Sequence, residues 1–280
     1  ELIKTEYFKK IETFCLLHSK EINHEVGSSL NKRLIKSTNN ADYIIANSNF
    51  TKELAIKVGI DKSKINIIFP GIQKPEDIEN ILKVKAEKIF GDSFPKIITV
   101  SRLDKRKGHD KILMLIKNLK PKFPKIKYVS IGFGKEEDNL LKLTKGLGVE
   151  KEVTFLKNID YNLKIALIAQ ANLFLMPSRI EKKSVEGFGI SFIEAASCGV
   201  GSIGGKDGGA SDAIVHNKTG LICDGSDLNS IYDSVVSFFR NENFIKFGKN
   251  AQEFSKKFHW DKVVKNYLKL INWFKFFFNF

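Results

Sequence analysis

From Lys96 onward, short runs rich in β-branched residues alternate with longer amphipathic ones, and that rhythm admits few folds. Ile97 to Ser101 reads as a buried strand, followed by a loop and a helical pattern over Lys111 to Leu119. Lys127 to Ile131 is the next strand, and a helix runs from about Glu136 to Leu147. Val153 to Leu156 and Leu173 to Met176 repeat the theme with a helix between them. Strands separated by helices pair in parallel and need helices on both faces. The predicted class is therefore α/β, with parallel sheets that bind ligands outside the carboxyl ends of their strands.

The portion before Lys96 looks like part of a second such sheet. Thr13 to Leu17, Tyr43 to Ala46 and Ile65 to Phe69 read as strands, and Lys32 to Thr38 as a helix. Ser48-Asn49-Phe50-Thr51 resembles a helix cap leading into Lys52 to Val58. Sheets of two or three strands rarely stand alone, so the expectation is a piece lacking its first strands. The polar stretch Gln73 to Phe94, with Pro75 inside and Pro95 just after, is where a domain boundary falls. This divides the chain into 1–83, 84–258 and a final segment 259–280. Near the end, Ser226-Asp227 caps a helix over Leu228 to Phe239, and helical runs follow over Glu242 to Phe258 and Asp261 to Phe274.

With 280 residues, an apolar fraction of 42% and a charged fraction of 28%, the chain can bury a large core. No apolar run reaches the ~20 residues that span a bilayer. Three cysteines (Cys15, Cys198, Cys223) lack C-x-x-C spacing, which suggests neither a disulfide framework nor a zinc site and fits a reducing, cytoplasmic compartment. Net charge is +14, which attracts anions in general. Motifs for nucleic acid are missing from the sequence, and a nucleic-acid partner is not expected.

The most specific chemistry lies in Glu186-Gly187-Phe188-Gly189-Ile190-Ser191-Phe192-Ile193-Glu194. Two carboxylates bracket a Gly-Phe-Gly turn that opens an apolar helix. A helix N-terminus offers unpaired N–H groups and about half a positive charge, favouring an anion such as phosphate. Eight residues of helix rise about 12 Å, beyond the roughly 5 to 9.5 Å of a glycosidase carboxylate pair. The glutamates should hold different parts of one extended ligand. This block resembles the E-x7-E signature of retaining glycosyltransferases of family 4, which have the GT-B architecture of two Rossmann-like domains. Ala195 to Gly199, Gly208 to Ala213 and Thr219-Gly220-Leu221 fit that family's following blocks.

The resemblance implies a retaining transfer of a hexose from a nucleotide sugar to a glycan or lipid-linked acceptor. Ser101 to Gly108 follows the first strand of the C-terminal domain, and Arg102 and Lys107 match the family's diphosphate-binding pair. Lys105 and Arg106 read as a solvated basic loop. Glu194 resembles the residue holding the ribose diol, and Glu186 the one contacting the donor sugar. Backbone N–H groups at Phe188, Gly189 and Ile190, beside Gly187, would complete the cradle. His18-Ser19-Lys20-Glu21 looks like the family's H-G-x-E block, with His18 near the reaction centre and Ser19 in place of glycine. Without an Asp-x-Asp motif, no metal and no other cofactor is expected. The segment Pro177 to Glu181 and the longer loop before Glu186 make GDP-mannose the first donor expectation and a UDP-hexose the second. The family's final helix crosses back to the N-terminal domain, and Phe258-His259-Trp260 resembles the mark before it. The aromatic, Lys-containing tail from Leu268 to Phe280 suits that docking or a peripheral contact with anionic membrane at the cytoplasmic face. A sugar-nucleotide epimerase of the same fold, or a non-catalytic nucleotide- or nucleic-acid-binding protein, are the rival readings.

Overall fold

The computed structural model describes residues 12–271. The first lobe runs β1 (Phe14–Leu17), α1 (Ser29–Thr38), β2 (Tyr43–Ala46), α2 (Asn49–Lys57) and β3 (Ile65–Ile67). Its described strands pair in parallel in the order β1-β2-β3. Leu17, Ile22, Ile44, Ala46, Ala55 and Ile65 form the buried core between them. Helix α1 starts three residues before the expected Lys32, because Ser28 caps it by accepting from the Asn31 N–H at 3.2 Å. Ser48 caps α2 in the same way, from the Thr51 N–H at 2.9 Å.

Gln73 to Glu79 links the lobes without regular structure, and α3 (Asn80–Phe90) then forms inside the stretch that reads as polar boundary. Its helix is earned by packing: Ala86 and Phe90 are buried in a core shared with Ala166 and Ile168. The second lobe alternates β4 (Lys96–Val100), α4 (His109–Leu119), β5 (Lys127–Ile131), α5 (Glu137–Leu147), β6 (Val153–Leu156), α6 (Tyr161–Gln170) and β7 (Leu173–Met176). It continues with α7 (Ile190–Ser197), β8 (Ser202–Gly205), α8 (Ala210–Ala213), β9 (Gly220–Cys223), α9 (Leu228–Phe239) and α10 (Asn243–Ser255). The six strands are all parallel in the order β6-β5-β4-β7-β8-β9. One core lies on each face of this sheet. The order reverses direction between β4 and β7, and a crevice opens outside their carboxyl ends at such a switch point.

The last helix, α11 (Trp260–Leu270), returns to the first lobe. Val263, Tyr267 and Leu270 cover Phe14, Ile45 and Ile68. The return is pinned at Ile72, whose N–H donates to the Phe258 carbonyl at 2.8 Å and whose carbonyl accepts from Trp260 at 3.2 Å. Gly71 is needed there, because a Cβ would lie 2.4 Å from the Trp260 ring. The tail residues 272–280, on which the membrane expectation partly rests, lie outside the described residues, as do residues 1–11. Among the described residues no helix is long and apolar enough to cross a membrane.

Candidate functional site

The switch point brings two loops together. The first leaves β4 as Ser101 to Gly108, and the second leaves β7 as Pro177 to Gly189. Gly108 has φ +79°, and a Cβ on it would meet the Pro177 carbonyl at 2.5 Å, so only glycine permits the approach. Arg179 strengthens the junction, donating its N–H to the Arg106 carbonyl at 2.9 Å. Its guanidinium forms a two-pronged pair with Asp110 of α4, both contacts at 3.0 Å.

That closure places Lys107 and Arg106 on Glu186. Lys107 is 7% exposed and Glu186 is 8% exposed. The Lys107 ammonium contacts Glu186 Oε2 directly, and an Arg106 guanidinium nitrogen reaches the same oxygen at 2.8 Å. Burial pushes the Glu186 carboxyl up, but Lys107 and Arg106 together outweigh it and hold the group below its ordinary range. Two cations facing one carboxylate leave a surplus positive charge in a site largely removed from water. The Arg106 Nε is also buried and has no partner among the described residues.

The basic side chains of this loop lie in different surroundings. Arg106, read from sequence as solvated, belongs to the buried cluster. Its carbonyl is tied down by Arg179, and the tight turn at Lys105–Lys107 presents it inward with Lys107. Arg102 instead has a side chain 60% exposed and pairs with Asp104 at 3.2 Å. It lines a cleft of about 700 Å³ between the lobes, opposite Lys20, Asn23 and His24 of the first lobe. Lys105, Lys135, Lys182 and Lys183 line it too, so the crevice is strongly basic.

Past Glu186 the chain is held by glycines. Gly209 donates its N–H to the Glu186 carbonyl at 2.8 Å, and a Cβ on Gly209 would lie 2.0 Å from the Gly187 carbonyl oxygen. Gly189 adopts φ +85° and starts α7 with no side-chain cap, leaving the first N–H groups of the helix open to a ligand. Phe188 anchors the turn: its ring is 5.5 Å from Phe69 and 5.7 Å from Phe258, at the junction of the lobes. Ile190 is exposed at the helix start. Glu194 faces elsewhere. It pairs with Lys164 of α6 at 2.8 Å and lines a second cavity of about 340 Å³ with Tyr161 and linker residues Gln73 to Glu79. The two glutamates thus occupy distinct surroundings along one helix start.

His18 follows β1, and the turn after it presses on the glycine turn of the second lobe. A Cβ at Gly187 would lie 2.4 Å from the His18 carbonyl oxygen and 2.9 Å from Ser19 Oγ. His18 Nδ1 is 3.3 Å from the Asn47 amide nitrogen. Ser19 has φ +91°, a conformation that glycine adopts without strain, and its buried hydroxyl has no partner among the described residues. Sequence reasoning missed Asn47 and Ser48 as part of the site. Ser48 was read only as the helix cap that opens α2, and Asn47 carried no signal of its own. His109, by contrast, is structural: Nδ1 contacts the Tyr128 hydroxyl at 3.0 Å and Nε2 the Ser101 hydroxyl at 2.9 Å, and burial holds its imidazole down at about 4. Burial likewise pushes the Cys198 thiol up to about 11, which suits a packed residue and no nucleophile.

The pattern of the family described as "Glycosyl transferases group 1" matches residues 81–257. This chain belongs to the group 1 glycosyltransferases. Similar relatives include a GDP-mannose-dependent alpha-(1-6)-phosphatidylinositol monomannoside mannosyltransferase of Mycolicibacterium smegmatis. It is 29% identical over 221 residues, covering 76% of this chain and 58% of the relative. The protein of the same description from Mycobacterium tuberculosis H37Rv is 32% identical over 174 residues, 61% of this chain and 45% of the relative. This group 1 glycosyltransferase therefore spans about half the length of those curated relatives. Among solved structures, HepE of Anabaena in complex with UDP-glucose superposes with TM-score 0.81 at 19% identity, over 95% of this chain and 73% of that one. Sucrose-phosphate synthase of Thermosynechococcus elongatus gives 0.75 at 21% identity, over 93% and 67%. These likenesses establish the α/β fold with parallel sheets as GT-B.

Proposed function

We propose that this glycosyltransferase moves a hexose from a nucleoside-diphosphate sugar to a glycan or lipid-linked acceptor, with retention and without a metal ion. The observation that carries the reading is the buried pair of cations, Lys107 and Arg106, gathered on Glu186 beside the uncapped start of α7. Cleavage of the sugar–phosphate bond puts negative charge on the leaving diphosphate. Fixed cations and helix N–H groups stabilise that charge without reorganising, which is usually the largest catalytic term. In this reading Arg102, at the cleft rim, meets the outer phosphate oxygens once the donor is bound. Glu186 contacts the sugar hydroxyls, and the backbone of Gly187, Phe188, Gly189 and Ile190 cradles sugar and phosphate.

Glu194 takes the ribose: its carboxylate offers two acceptor oxygens to a vicinal diol, with Lys164 holding it in place at 2.8 Å. His18 lies on the opposite wall, towards the acceptor. Cations and helix dipole fill the part a magnesium ion plays in other transferases. GDP-mannose is the first donor choice, supported by the GDP-mannose-dependent relatives, and a UDP-hexose is the second. The basic cleft between the lobes suits the diphosphate and supports a peripheral approach to an anionic surface at the cytoplasmic face.

The test is a donor panel of GDP-mannose, UDP-glucose and UDP-GlcNAc, following nucleotide release with EDTA or Mg²⁺ and the anomeric configuration of the released or transferred sugar by proton NMR. The expected result is strongest turnover with GDP-mannose, equal rates in EDTA, and an α-configured product. Turnover abolished by EDTA and restored by Mg²⁺ would refute the metal-free mechanism, and a β product would refute retention.

A further inference from the structure

A chain of hydrogen bonds crosses from the donor-side glycine turn to His18 on the other lobe. It starts at the Gly187 carbonyl, which can only accept. Ser48 Oγ lies 2.5 Å from it and must therefore donate its one proton there. The same oxygen accepts from the Thr51 N–H at 2.9 Å, as the cap of α2. With the Ser48 proton committed, the Thr51 hydroxyl donates to Asn47 Oδ1, its shortest hydroxyl contact, at 2.7 Å. That bond sets which way the Asn47 amide faces. Its nitrogen is left towards His18 Nδ1, at 3.3 Å. An amide nitrogen only donates, so Nδ1 must present its lone pair, and the proton of the neutral ring must sit on Nε2.

We infer that Asn47 is a positioning residue that holds His18 as the Nε2–H tautomer, with Ser48 closing onto the Gly187 carbonyl so that the Thr51 hydroxyl is left to Asn47. Ser48 and Thr51 are fully buried, and Asn47 nearly so, whereas the His18 side chain is exposed. The network therefore has a dry, ordered side and one solvent-exposed end at the His18 ring. A second contact reports the same closure: Asp212 accepts from the Asn49 amide at 2.6 Å and from the Phe50 N–H at 3.2 Å, at the start of α2. Without the Ser48 hydroxyl, the Gly187 carbonyl would be left to compete for the Thr51 proton from 3.5 Å away. Thr51 then no longer has to donate to Asn47, and the amide loses its fixed orientation. The catalytic meaning of that orientation rests on the transferase reading above; the tautomer itself does not.

The tautomer is read directly from the 15N shifts of the His18 ring in long-range 1H–15N spectra of the 280-residue chain at neutral pH, assigned with His18→Gln. The wild-type protein is expected to show a protonated Nε2 and an unprotonated Nδ1. Asn47→Asp replaces the donor by an acceptor and is expected to put a proton on Nδ1. Ser48→Ala is expected to average the two nitrogens. Binding of GDP to the wild type is measured by calorimetry on the same sample. A wild-type ring with its proton on Nδ1 overturns the inference with no variant needed, and so does an Asn47→Asp spectrum like that of the wild type. Absence of GDP binding to the wild type with the Nε2–H tautomer intact would instead count against the transferase reading and leave this one standing.

Discussion

At Ser19 the backbone takes φ +91°, a conformation costing an L-residue roughly 1–2 kcal/mol. Its hydroxyl is buried without a partner, a further cost of about 1–3 kcal/mol. Glycine would remove both, offset by roughly 0.5–1 kcal/mol of lost chain entropy. Ser19→Gly is therefore predicted to stabilise the protein by about 1–3 kcal/mol, read as an upward shift of the urea midpoint. An unchanged or lower midpoint would mean that Ser19 Oγ has a role in the packing against Gly187. The balance among cations is also decided at this scale. Lys107 and Arg106 are drawn inward because Glu186 compensates them, whereas Arg102 has Asp104 in its own loop and remains exposed.

Among elements, the loop from Glu186 to Gly189 is shaped by its neighbours more than by its own sequence. Gly209, from the loop before α8, sits so close that an added methyl would overlap the Gly187 carbonyl oxygen at 2.0 Å. Gly209→Ala is predicted to displace the turn, costing about 2–4 kcal/mol of stability and weakening GDP binding at least ten-fold. A folded variant with native GDP affinity would show that the turn does not form the anion site. The strands were legible in the sequence for a physical reason: β5 and β7 are buried on both faces, so short, largely apolar runs mark them. Helix α3 was not legible, because its apolar residues are interleaved with lysines, its start has no side-chain cap among the described residues, and its stability comes from Ala86 and Phe90 packing against α6. The motif residues of the site could be named from their pattern. Which basic side chain of Ser101 to Gly108 turns inward could not, since Arg102, Arg106 and Lys107 carry the same chemistry and only the loop's closure on Pro177 distinguishes them. Asn47 and Ser48 were hidden for a similar reason: a cap looks the same in sequence whether or not its hydroxyl also reaches another lobe.

At the scale of the whole molecule, two parallel sheets meet along a seam that borders the candidate site. Phe69, Phe188 and Phe258 fill its base, α11 straps the lobes together from behind, and Ser48, Asp212 and Asn23 cross it with hydrogen bonds. Asn23 reaches the Lys183 carbonyl at 2.7 Å, so even the loop before Glu186 is tied to the first lobe. Such an arrangement makes the anion site a product of the closed molecule: the cations come from β4, the carboxylate and helix start from β7, and the opposing wall from β1. Its central claim is that a diphosphate binds at the mouth of α7 through the buried cations. Isothermal titration of GDP and UDP into the wild-type chain and into Lys107→Ala tests this most directly. The account predicts binding to the wild type and a loss of roughly 2–4 kcal/mol, or about 30- to 1,000-fold in affinity, in the variant. A folded Lys107→Ala protein that binds either nucleotide as tightly as the wild type would contradict it.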